Sequence, residues 1–572
     1  MIQAINLSYS FPQKDLYKKI SFHIKQGEHA ALIGSNGVGK STLAAMIREP
    51  EEYLFEGKLL VTEPEQVGYV TQFFDKDAVS ETVFSYISEE FVQRQKKIDA
   101  LCEELAQTED MEATLERYQK ALDDFTAIDG EHYESNIRHQ LKIAGLQALE
   151  EEPIANLSGG EGKLVQVIRE MLVHPRILVM DEPDGFLDFE HLNALRRLIN
   201  QHKGTLLVIT HNRYLLQYCF DKILNLEDGQ LDEYEGSYPE YNLDLLKRKI
   251  EQQELAQADE EEIQRNRQLV EKLRKEATMF DNPTRGKTLH ARVSLLERLE
   301  ARKTRQPFVD IKEPLIHLET AVPETEDALL TLENYNVKFG NTLFEDLQLT
   351  LQPHEKVAVV GPNGTGKTTL LREIFQNNNP AIRLSPQAKV SYLSQNPDET
   401  ILEQQTVYEA LNKEEKLSEQ QLNLILDDYG FLEEDGNRYV SQLSGGERNL
   451  LQLACIAENT GNLLLLDEPS SHLDIYAQMA LERALKEYNG GILMVSHDFY
   501  MIANTMDYVL LIEECGLRKV SIRKFRKMMY AEYFDKDYLE REQKRKELES
   551  KILSALKKKD YHMAALLCEK LN

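Results

Sequence analysis

The sequence predicts an α/β protein with two similar domains, an α-helical hairpin linker between them and a helical C-terminal tail. Three observations support this prediction. A set of short motifs occurs twice in the same order, short apolar runs precede those motifs, and the remaining segments have the apolar spacing of helices. At 572 residues the chain is also too long for a single hydrophobic core.

An internal repeat sets the expected domain boundaries. LSGGE occurs at 157–161 and again at 443–447, and four polar residues recur at a constant spacing of 286: Ser158 as Ser444, Glu182 as Glu468, Asp188 as Asp474 and His211 as His497. The first copy carries extra residues with helical spacing at about 84–147. We predict domains at 1–240 and 326–523, a helical linker at 241–318 and a basic helical extension at 524–572.

Short apolar runs predict the strands of both domains. HAALI, RILVM and TLLVIT in the first copy correspond to KVAVV, LLLL and GILMVS in the second. Each run ends at a motif and is apolar throughout, as is typical of strands buried on both faces. The sequence therefore predicts a parallel sheet in each domain.

Each copy contains G-x-x-x-x-G-K-[ST] after a strand and before a helix. In this motif, glycines let backbone N–H groups surround phosphates, and the helix N-terminus adds a favourable dipole. Lys40 and Lys367 would neutralise the β- and γ-phosphates of ATP, with Ser41 and Thr368 on Mg²⁺. The predicted loop residues are Gly34, Ser35, Asn36, Gly37, Val38, Gly39, Lys40, Ser41 and Thr42, and Gly361, Pro362, Asn363, Gly364, Thr365, Gly366, Lys367, Thr368 and Thr369.

Carboxylates follow one strand of each copy. Asp181 and Asp467 close their strands, where an acidic group can hold magnesium. The next residues, Glu182 and Glu468, are placed to polarise an attacking water, and the predicted γ-phosphate contacts are His211 and His497. Any one of these residues alone could be a surface acid or a core histidine. The common spacing favours two hydrolytically complete sites.

With these motifs the chain resembles the ATP-binding cassette proteins. IANLSGGEGKLVQ and VSQLSGGERNLLQ are similar to the signature of that family. The resemblance implies that two P-loop ABC ATPase domains pair head to tail within a monomer. Each signature would then contact the ATP held by the opposite domain, through Ser158, Gly159 and Gly160 and through Ser444, Gly445 and Gly446.

The resemblance implies further roles at both sites. Gln72 and Gln395 match the Q-loop, with a contact to the metal, and Asp188 and Asp474 match the D-loop. Phe11 and Phe339 match the aromatic residue that stacks on adenine, although Tyr9 also fits the first of these positions.

A narrower resemblance is to the ABC-F proteins, which work on ribosomes. It rests on twin cassettes in one chain, a charged linker and YEGSYPEYN at 234–242. That family usually has DEPTNHLD, whereas this chain has DEPDGFLD at 181–188 and DEPSSHLD at 467–474, so that His472 corresponds to Phe186. We therefore expect the two sites to hydrolyse ATP at different rates.

The linker has the pattern of a hairpin arm. Apolar spacing predicts a helix over 243–279, Asn282, Pro283 and Gly286 break it, and a shorter return helix carries Leu289, Val293 and Leu296. Residues 265–305 contain twelve Lys or Arg against five Asp or Glu. Cations that neutralise a phosphate backbone release counterions, so the predicted RNA contacts are Arg285, Lys287 and Arg292. The resemblance implies rRNA and tRNA near the peptidyl transferase centre; the alternative is a solvated spacer.

Two helical segments remain open in function. The C-terminal tail is either a surface helix folded back on the second cassette or a second RNA contact. The acidity of the insert at 84–147 favours contact with protein at least as much as with RNA.

Composition narrows the function classes. The net charge is −30, the five cysteines are scattered without a CxxC pair, and no apolar run approaches the ~18 residues of a membrane span. Because the N-terminus also lacks a signal peptide pattern, we predict a cytoplasmic protein.

The leading hypothesis is a ribosome-bound ATPase, serving translation regulation or protection against antibiotics. The alternative is a twin ATP-binding subunit of a transporter, which would leave the basic hairpin without a task.

Overall fold

The apolar runs that precede the motifs form the central strands of two sheets. The computed structural model describes residues 1–11, 14–63, 66–72, 74, 81–106, 111–279, 292–296, 298–299, 313–320, 327–339, 341–413, 417–458, 460–513, 516–534, 544–545, 547–548, 551–552, 554–555, 558 and 560–570. Met1–Ser237 and Lys312–Met529 form one compact unit, which contains both cassettes, and Tyr238–Ile311 with Tyr530–Asn572 form another.

The first cassette is built on a six-stranded sheet. In spatial order its strands are β5 (Val67–Val70), β6 (Ile177–Asp181), β7 (Thr205–Ile209), β3 (His29–Ile33), β8 (Lys222–Glu227) and β9 (Gln230–Glu235). All neighbouring strands are parallel except β9, which pairs with β8 in antiparallel register. β6 and β7 are buried along their whole length, as continuous apolar runs in a covered parallel sheet should be.

The second cassette repeats this topology. Its strands, in spatial order, are β14 (Val390–Leu393), β15 (Leu463–Asp467), β16 (Gly491–Val495), β12 (Lys356–Val360), β17 (Tyr508–Glu513) and β18 (Gly516–Ser521). The order corresponds strand for strand to that of the first sheet. Motifs that follow equivalent strands therefore lie at the same edge of each sheet.

An antiparallel three-stranded sheet completes each cassette core. The first has the order β2 (Lys14–Ile24), β1 (Ile2–Phe11), β4 (Glu56–Val61), and the second β11 (Asn341–Leu351), β10 (Leu330–Phe339), β13 (Ile382–Leu384). Apolar residues of this sheet, including Ile2, Leu7 and Ile24, share one buried cluster with Leu32 and Leu43. The helix after the phosphate loop is thus enclosed between two sheets.

Helices cover the sheets and carry the motifs. In the first cassette these are α1 (Lys40–Arg48), α2 (Val83–Leu105), α3 (Met111–Ala127), α4 (Tyr133–Ile143), α5 (Gly159–Leu172), α6 (Phe189–Gln201) and α7 (Arg213–Tyr218). In the second they are α9 (Lys367–Gln376), α10 (Val407–Leu411), α11 (Glu419–Asp428), α12 (Gly445–Glu458), α13 (Ile475–Glu487), α14 (Phe499–Thr505) and α15 (Ile522–Tyr533). The extra residues of the first copy lengthen α2 and form α3, whereas α4 lies at the repeat spacing of 286 from α11.

The linker begins with one long helix, α8 (Tyr238–Met279), of 42 residues. At 1.5 Å per residue it extends roughly 63 Å. It starts five residues before the predicted position, because Tyr238 and Tyr241 are buried and Pro239 is compatible with a first helical turn. Residues 292–296 and 298–299 are helical, as the return helix requires. Leu289 and the three predicted helix breakers lie outside the described residues.

The C-terminal tail makes a contact that neither sequence-based alternative included. Ile552, Ala555 and two residues of α16 (Tyr561–Glu569), Ala564 and Cys568, form a buried apolar cluster with Ile250 of α8. Ile552 and Ala564 have no exposed surface. The first part of the linker helix is therefore packed against the end of the chain.

Among the described helices, none has the length and apolar character needed to cross a membrane.

Packing of the tail on α8 predicts a specific stability change. Ala564→Asp should lower the free energy of unfolding of this unit by about 3 kcal/mol, because it buries a carboxylate without a partner. Met563→Asp is the matched control, since the neighbouring Met563 side chain is 47% exposed. Limited proteolysis within α8 and thermal unfolding of both variants would measure the effect. Equal protease resistance of the two variants would contradict the packing.

Candidate active sites

The phosphate loop of each cassette turns sharply into a helix. Gly39 and Gly366 have φ values of 101° and 89°, a left-handed conformation that favours glycine, and α1 and α9 begin at the next residue. The ammonium of Lys40 donates to the Gly34 and Ser35 carbonyls at 2.8 Å. Burial lowers the pKa of Lys40. Lys367 makes the equivalent contacts with Gly361 and Pro362 in the second loop.

Two residues that the sequence analysis missed support the first loop. The buried phenol of Tyr17 donates to the Gly39 carbonyl at 2.6 Å, and a Glu227 carboxylate oxygen accepts from the Ser35 backbone N–H at 2.6 Å. Burial raises the pKa of Glu227 to about 7. No local pattern marks either residue, because each reaches the loop only after β2 or β8 has paired in its sheet.

The strand-end aspartates are buried beside the hydroxyl groups that begin α1 and α9. Burial raises the pKa of both Asp181 and Asp467 to about 6, against smaller opposing effects of Ser41 and Thr368 respectively. Within the described part of the chain, one carboxylate oxygen of Asp181 and both of Asp467 are buried without a hydrogen-bond partner. Buried, unpartnered carboxylate oxygens suit a hard divalent cation.

The described residues contain no group of three or more His, Cys, Asp or Glu that could hold a metal ion by themselves. Mg²⁺ is usually held by one or two carboxylates together with phosphate oxygens and water. The residues present therefore fit Mg²⁺ bound together with a nucleotide.

Glu182 and Glu468 follow these aspartates in a left-handed backbone conformation, with φ values of 45° and 47°. This conformation is uncommon outside glycine and tends to occur where a site imposes it. The Glu182 N–H donates to the Ile209 carbonyl, and the Glu468 N–H to the Val495 carbonyl, each at 2.9 Å. The backbone of each glutamate is thus attached to the strand that leads to its own histidine.

His211 and His497 are buried at the ends of these strands. Among the described residues, no ring nitrogen of either histidine has a hydrogen-bond partner. Burial, together with the charge of Lys40 or Lys367, lowers the pKa of both histidines, that of His497 to about 3. Both imidazoles are therefore neutral near pH 7 and can accept or donate a hydrogen bond.

The LSGGE motifs are helix starts with a capping box. The Ser158 hydroxyl accepts from the Glu161 N–H at 3.2 Å, and the Glu161 carboxylate accepts from the Ser158 N–H at 2.7 Å. Ser444 and Glu447 form the same pair at the start of α12. The S-x-x-E spacing in the sequence predicts this geometry. It fixes the direction of the helix N-terminus and its partial positive charge.

Reciprocal contacts join the two cassettes at the phosphate loops. In the first loop, the Asn36 N–H donates to the Asp474 carboxylate at 3.0 Å and its side-chain amide donates to the His472 carbonyl at 2.8 Å. In the second loop, Asn363 makes the equivalent contacts with Asp188 at 3.3 Å and with the Phe186 carbonyl at 2.9 Å.

The second signature approaches the first phosphate loop closely. A Cβ atom at Gly446 would lie 2.0 Å from the Asn36 amide nitrogen and 2.5 Å from the His472 carbonyl. The structure thus brings together the first phosphate loop and the second signature, which lie about four hundred residues apart in the chain.

The two glutamates have different surroundings. Glu182 accepts from the Gln72 side chain at 2.8 Å, and the imidazole of His472, from the opposite cassette, lies 3.8 Å away. Burial alone would favour protonation, but His472, His211 and Gln72 together lower the pKa of Glu182 to about 2.

Glu468 has no equivalent of His472. Phe186 occupies the corresponding position, and its ring packs against His472 at 5.7 Å. Burial and the neighbouring Asp467 raise the pKa of Glu468.

Three further predicted site residues are Gln395, Phe11 and Phe339. Gln395 is exposed. The Phe11 ring is 48% exposed and contacts Tyr9 edge-on, whereas Tyr9 also packs on Tyr17 and Tyr53. Phe11 is thus the more available of the two aromatics. The side chain of Phe339 lies outside the described residues.

The predicted RNA contacts are only partly described. Arg285 and Lys287 lie outside the described residues. Arg292 is exposed, and its guanidinium donates to the buried Asn266 of α8 at 3.2 Å. Asn266 in turn donates to the Glu262 carbonyl at 2.9 Å.

Lys163 is a further buried residue that the motifs did not indicate. Its ammonium donates to the Thr71 carbonyl and, at 3.0 Å, to the Gln72 carbonyl. Burial lowers the pKa of Lys163 to about 8. Lys163 therefore fixes the backbone of the segment that carries Gln72, whereas Asn449 at the corresponding position donates instead to the Pro469 and Ser471 carbonyls.

Paired phosphate loops, strand-end carboxylates and capped signatures define a twin-cassette ATPase. A family model described as "ABC transporter" matches residues 17–185 and 344–471, and a second model with that description matches 224–314. The chain belongs to the ATP-binding cassette proteins and, within them, to the ABC-F group. It binds and hydrolyses ATP.

Relatives span most of the chain. The energy-dependent translational throttle protein EttA of Escherichia coli K12 is 30% identical over 87% of this chain and 89% of its own length. The ribosome protection protein VmlR of Bacillus subtilis 168 is 27% identical over 91% and 88%. The solved structure of the archaeal ribosome recycling factor aABCE1 with the stalk protein aP1 has a TM-score of 0.53, 18% identity and 92% coverage of both chains, which shows a shared fold.

The contact at Gly446 predicts how the cassettes respond to one added methyl group. Gly446→Ala should separate the cassettes, because its Cβ would overlap the amide of Asn36, which belongs to the opposite cassette. Gly159→Ala is the matched control, since its Cβ would meet nothing closer than 3.7 Å. Small-angle X-ray scattering with ATP should show a larger radius of gyration for Gly446→Ala alone. An unchanged radius would contradict the observed interface.

Proposed function

We propose that this chain is a ribosome-associated ATPase in which ATP holds the two cassettes together. The linker arm then contacts rRNA and tRNA, and hydrolysis releases the complex. The supporting observation is that similarity to EttA and VmlR covers most of the chain, while a family model includes the linker region 224–314. The functional parts in this proposal are the sequence-predicted domains at 1–240, 241–318, 326–523 and 524–572.

Within the proposal, each ATP is bound by both cassettes of a monomer. ATP on Lys40 would be closed by the signature residues Ser444, Gly445 and Gly446, and ATP on Lys367 by Ser158, Gly159 and Gly160. The reciprocal contacts of Asn36 with Asp474 and of Asn363 with Asp188 support this head-to-tail pairing. Phe11 and Phe339 would stack on the adenines.

Residues at the strand ends would carry out hydrolysis. Mg²⁺ would neutralise phosphate charge, held through Asp181, Ser41 and Gln72 in one site and through Asp467, Thr368 and Gln395 in the other. Glu182 and Glu468 would orient and deprotonate water, and His211 and His497, neutral and unpartnered among the described residues, would hydrogen-bond the γ-phosphate.

The sites should differ in pH dependence. The lowered pKa of Glu182 keeps its carboxylate ionised at neutral and mildly acidic pH, whereas the raised pKa of Glu468 makes its carboxylate available only as pH rises. In the Glu468→Gln variant, hydrolysis at the remaining Glu182 site should be nearly flat from about pH 6 to about pH 8.5. In the Glu182→Gln variant, the rate should increase over the same range. Steady-state phosphate release measures both, and identical profiles and rates would refute the difference.

The linker would contact RNA through charge and shape. The excess of Lys and Arg in 265–305 supports electrostatic binding to a phosphate backbone, with Arg285, Lys287 and Arg292 as the proposed contacts. Since the Arg292 guanidinium also bonds Asn266, it would hold the return helix to α8 as well as face a phosphate.

Sedimentation with ribosomes tests the proposal. The Glu182→Gln, Glu468→Gln double variant should bind ATP without hydrolysing it and co-sediment with ribosomes. Adding Lys40→Ala and Lys367→Ala should abolish co-sedimentation, because the phosphates lose their cations. Absence of the double variant from the ribosome pellet in ATP, with recovery in a membrane fraction, would favour the transporter alternative.

Charge reversal separates the arm from the cassettes. In the same background, Arg285→Glu with Lys287→Glu should abolish co-sedimentation, and in the wild-type background it should leave ribosome-free ATP hydrolysis unchanged. Lys18→Glu with Lys19→Glu is the matched control, since it makes the same charge change at two exposed positions of β2, outside the linker, the insert and the tail. Susceptibility to ribosome-targeting drugs with and without the gene would distinguish antibiotic protection from translation regulation.

A further inference from the structure

A buried arginine joins the cassettes at a second place, away from the phosphate loops. Arg213 begins α7, two residues after His211, and its side chain is only 14% exposed. Its guanidinium donates to Glu482 of α13 and, at 3.2 Å, to Asp498, and it lies 4.8 Å from the Tyr500 ring centre. All three partners belong to the second cassette.

The partners of Arg213 are themselves fixed in position. Asp498 directly follows His497, and its other carboxylate oxygen caps α14 by accepting from the Tyr500 and Met501 N–H groups at 2.9 and 3.1 Å. Glu482 accepts from the Asn504 side chain at 2.9 Å. The two carboxylates are as buried as the arginine, with exposures of 12% and 16%. Buried charges require such pairing, so removal of one partner leaves the others uncompensated.

The residues at the repeat-related positions do not form an equivalent cluster. At the repeat spacing of 286, Arg213 corresponds to Phe499, Asp498 to Asn212 and Glu482 to Arg196. Phe499 carries no charge, so the mirrored ion pair cannot form. Arg196 instead donates to Asn193 at 3.2 Å and lies beside the rings of Tyr214 and Tyr218, all within its own cassette. The interface is therefore asymmetric in a way that the repeated motifs are not.

We propose that Arg213 is a positioning residue that locks the segments following His211 and His497 to each other across the cassette interface. This ion-pair lock couples closure of one ATP site to the position of the histidine in the other site. Its cation is supplied by the first cassette alone. This inference rests on the proposed closure of the cassettes around ATP. It assigns to Arg213, Glu482 and Asp498 a function outside the nucleotide motifs.

Charge exchange provides the test. In the full-length protein without ribosomes, Arg213→Glu places three carboxylates together and should lower kcat for ATP hydrolysis at least tenfold, with KM for ATP within about twofold. Arg213→Glu with Glu482→Arg restores one cation between two carboxylates and should recover most of the lost kcat. Arg196→Met is the matched control and should keep both constants near wild type.

Two results would overturn the lock. One is an Arg213→Glu variant with wild-type kcat; the other is an exchange variant that folds with the wild-type melting temperature yet recovers no kcat. A merely structural role predicts loss of melting temperature in Arg213→Glu without a split between kcat and KM. Because the assay contains no ribosomes, failure of the ribosome proposal leaves its result intact. Conversely, ribosome binding with no effect at Arg213 would refute the lock alone.

Discussion

The arrangement of both sites depends on two aspartates that each use one carboxylate oxygen to cap a helix and the other to contact the opposite cassette. In Asp474, one oxygen accepts from the Tyr476 and Ala477 N–H groups and so caps α13, while the other accepts from the Asn36 N–H of the opposite phosphate loop. Asp188 does the same for α6, through the His191 N–H, and for Asn363. Each aspartate side chain thus caps a helix and also forms part of the interface. The position of the aspartate sets the distance between each phosphate loop and the facing signature.

This constraint makes the interface nearly two-fold, and the departures from symmetry then fall on a few residues. His472 and Phe186 meet where the two D-loop segments converge, yet only His472 can lower the pKa of a glutamate across the interface. Arg213 adds a second asymmetric contact near the histidines. The first difference arises from one substitution between the repeats, and the second from three, at Arg213, Asp498 and Glu482. The backbone beside the two glutamates is the same in each copy, including the left-handed φ values at Glu182, Glu468, Phe186 and His472.

The second unit, which contains α8 and the C-terminal tail, is stabilised by packing between helices. α8 is far longer than any described helix of the cassettes, and a helix derives most of its stability from packing of its apolar face. Ile552, Ala564 and Cys568 supply that packing around Ile250, while the return segment contributes the Arg292 contact to Asn266. The end of the chain therefore contributes to the linker that begins some three hundred residues earlier.

The sequence by itself determined the two cassettes, their strands, the phosphate loops, the capped signatures and the helical linker. Each of these is encoded by local spacing: continuous apolar runs for parallel strands, glycines for the loop and S-x-x-E for the helix start. Only the tertiary structure decided the opposite pKa shifts of Glu182 and Glu468, the support of Tyr17 and Glu227, the cluster around Arg213 and the docking of the tail on α8. These depend on side chains far apart in the chain, where burial and neighbouring charge set the energy and no local pattern records the pairing.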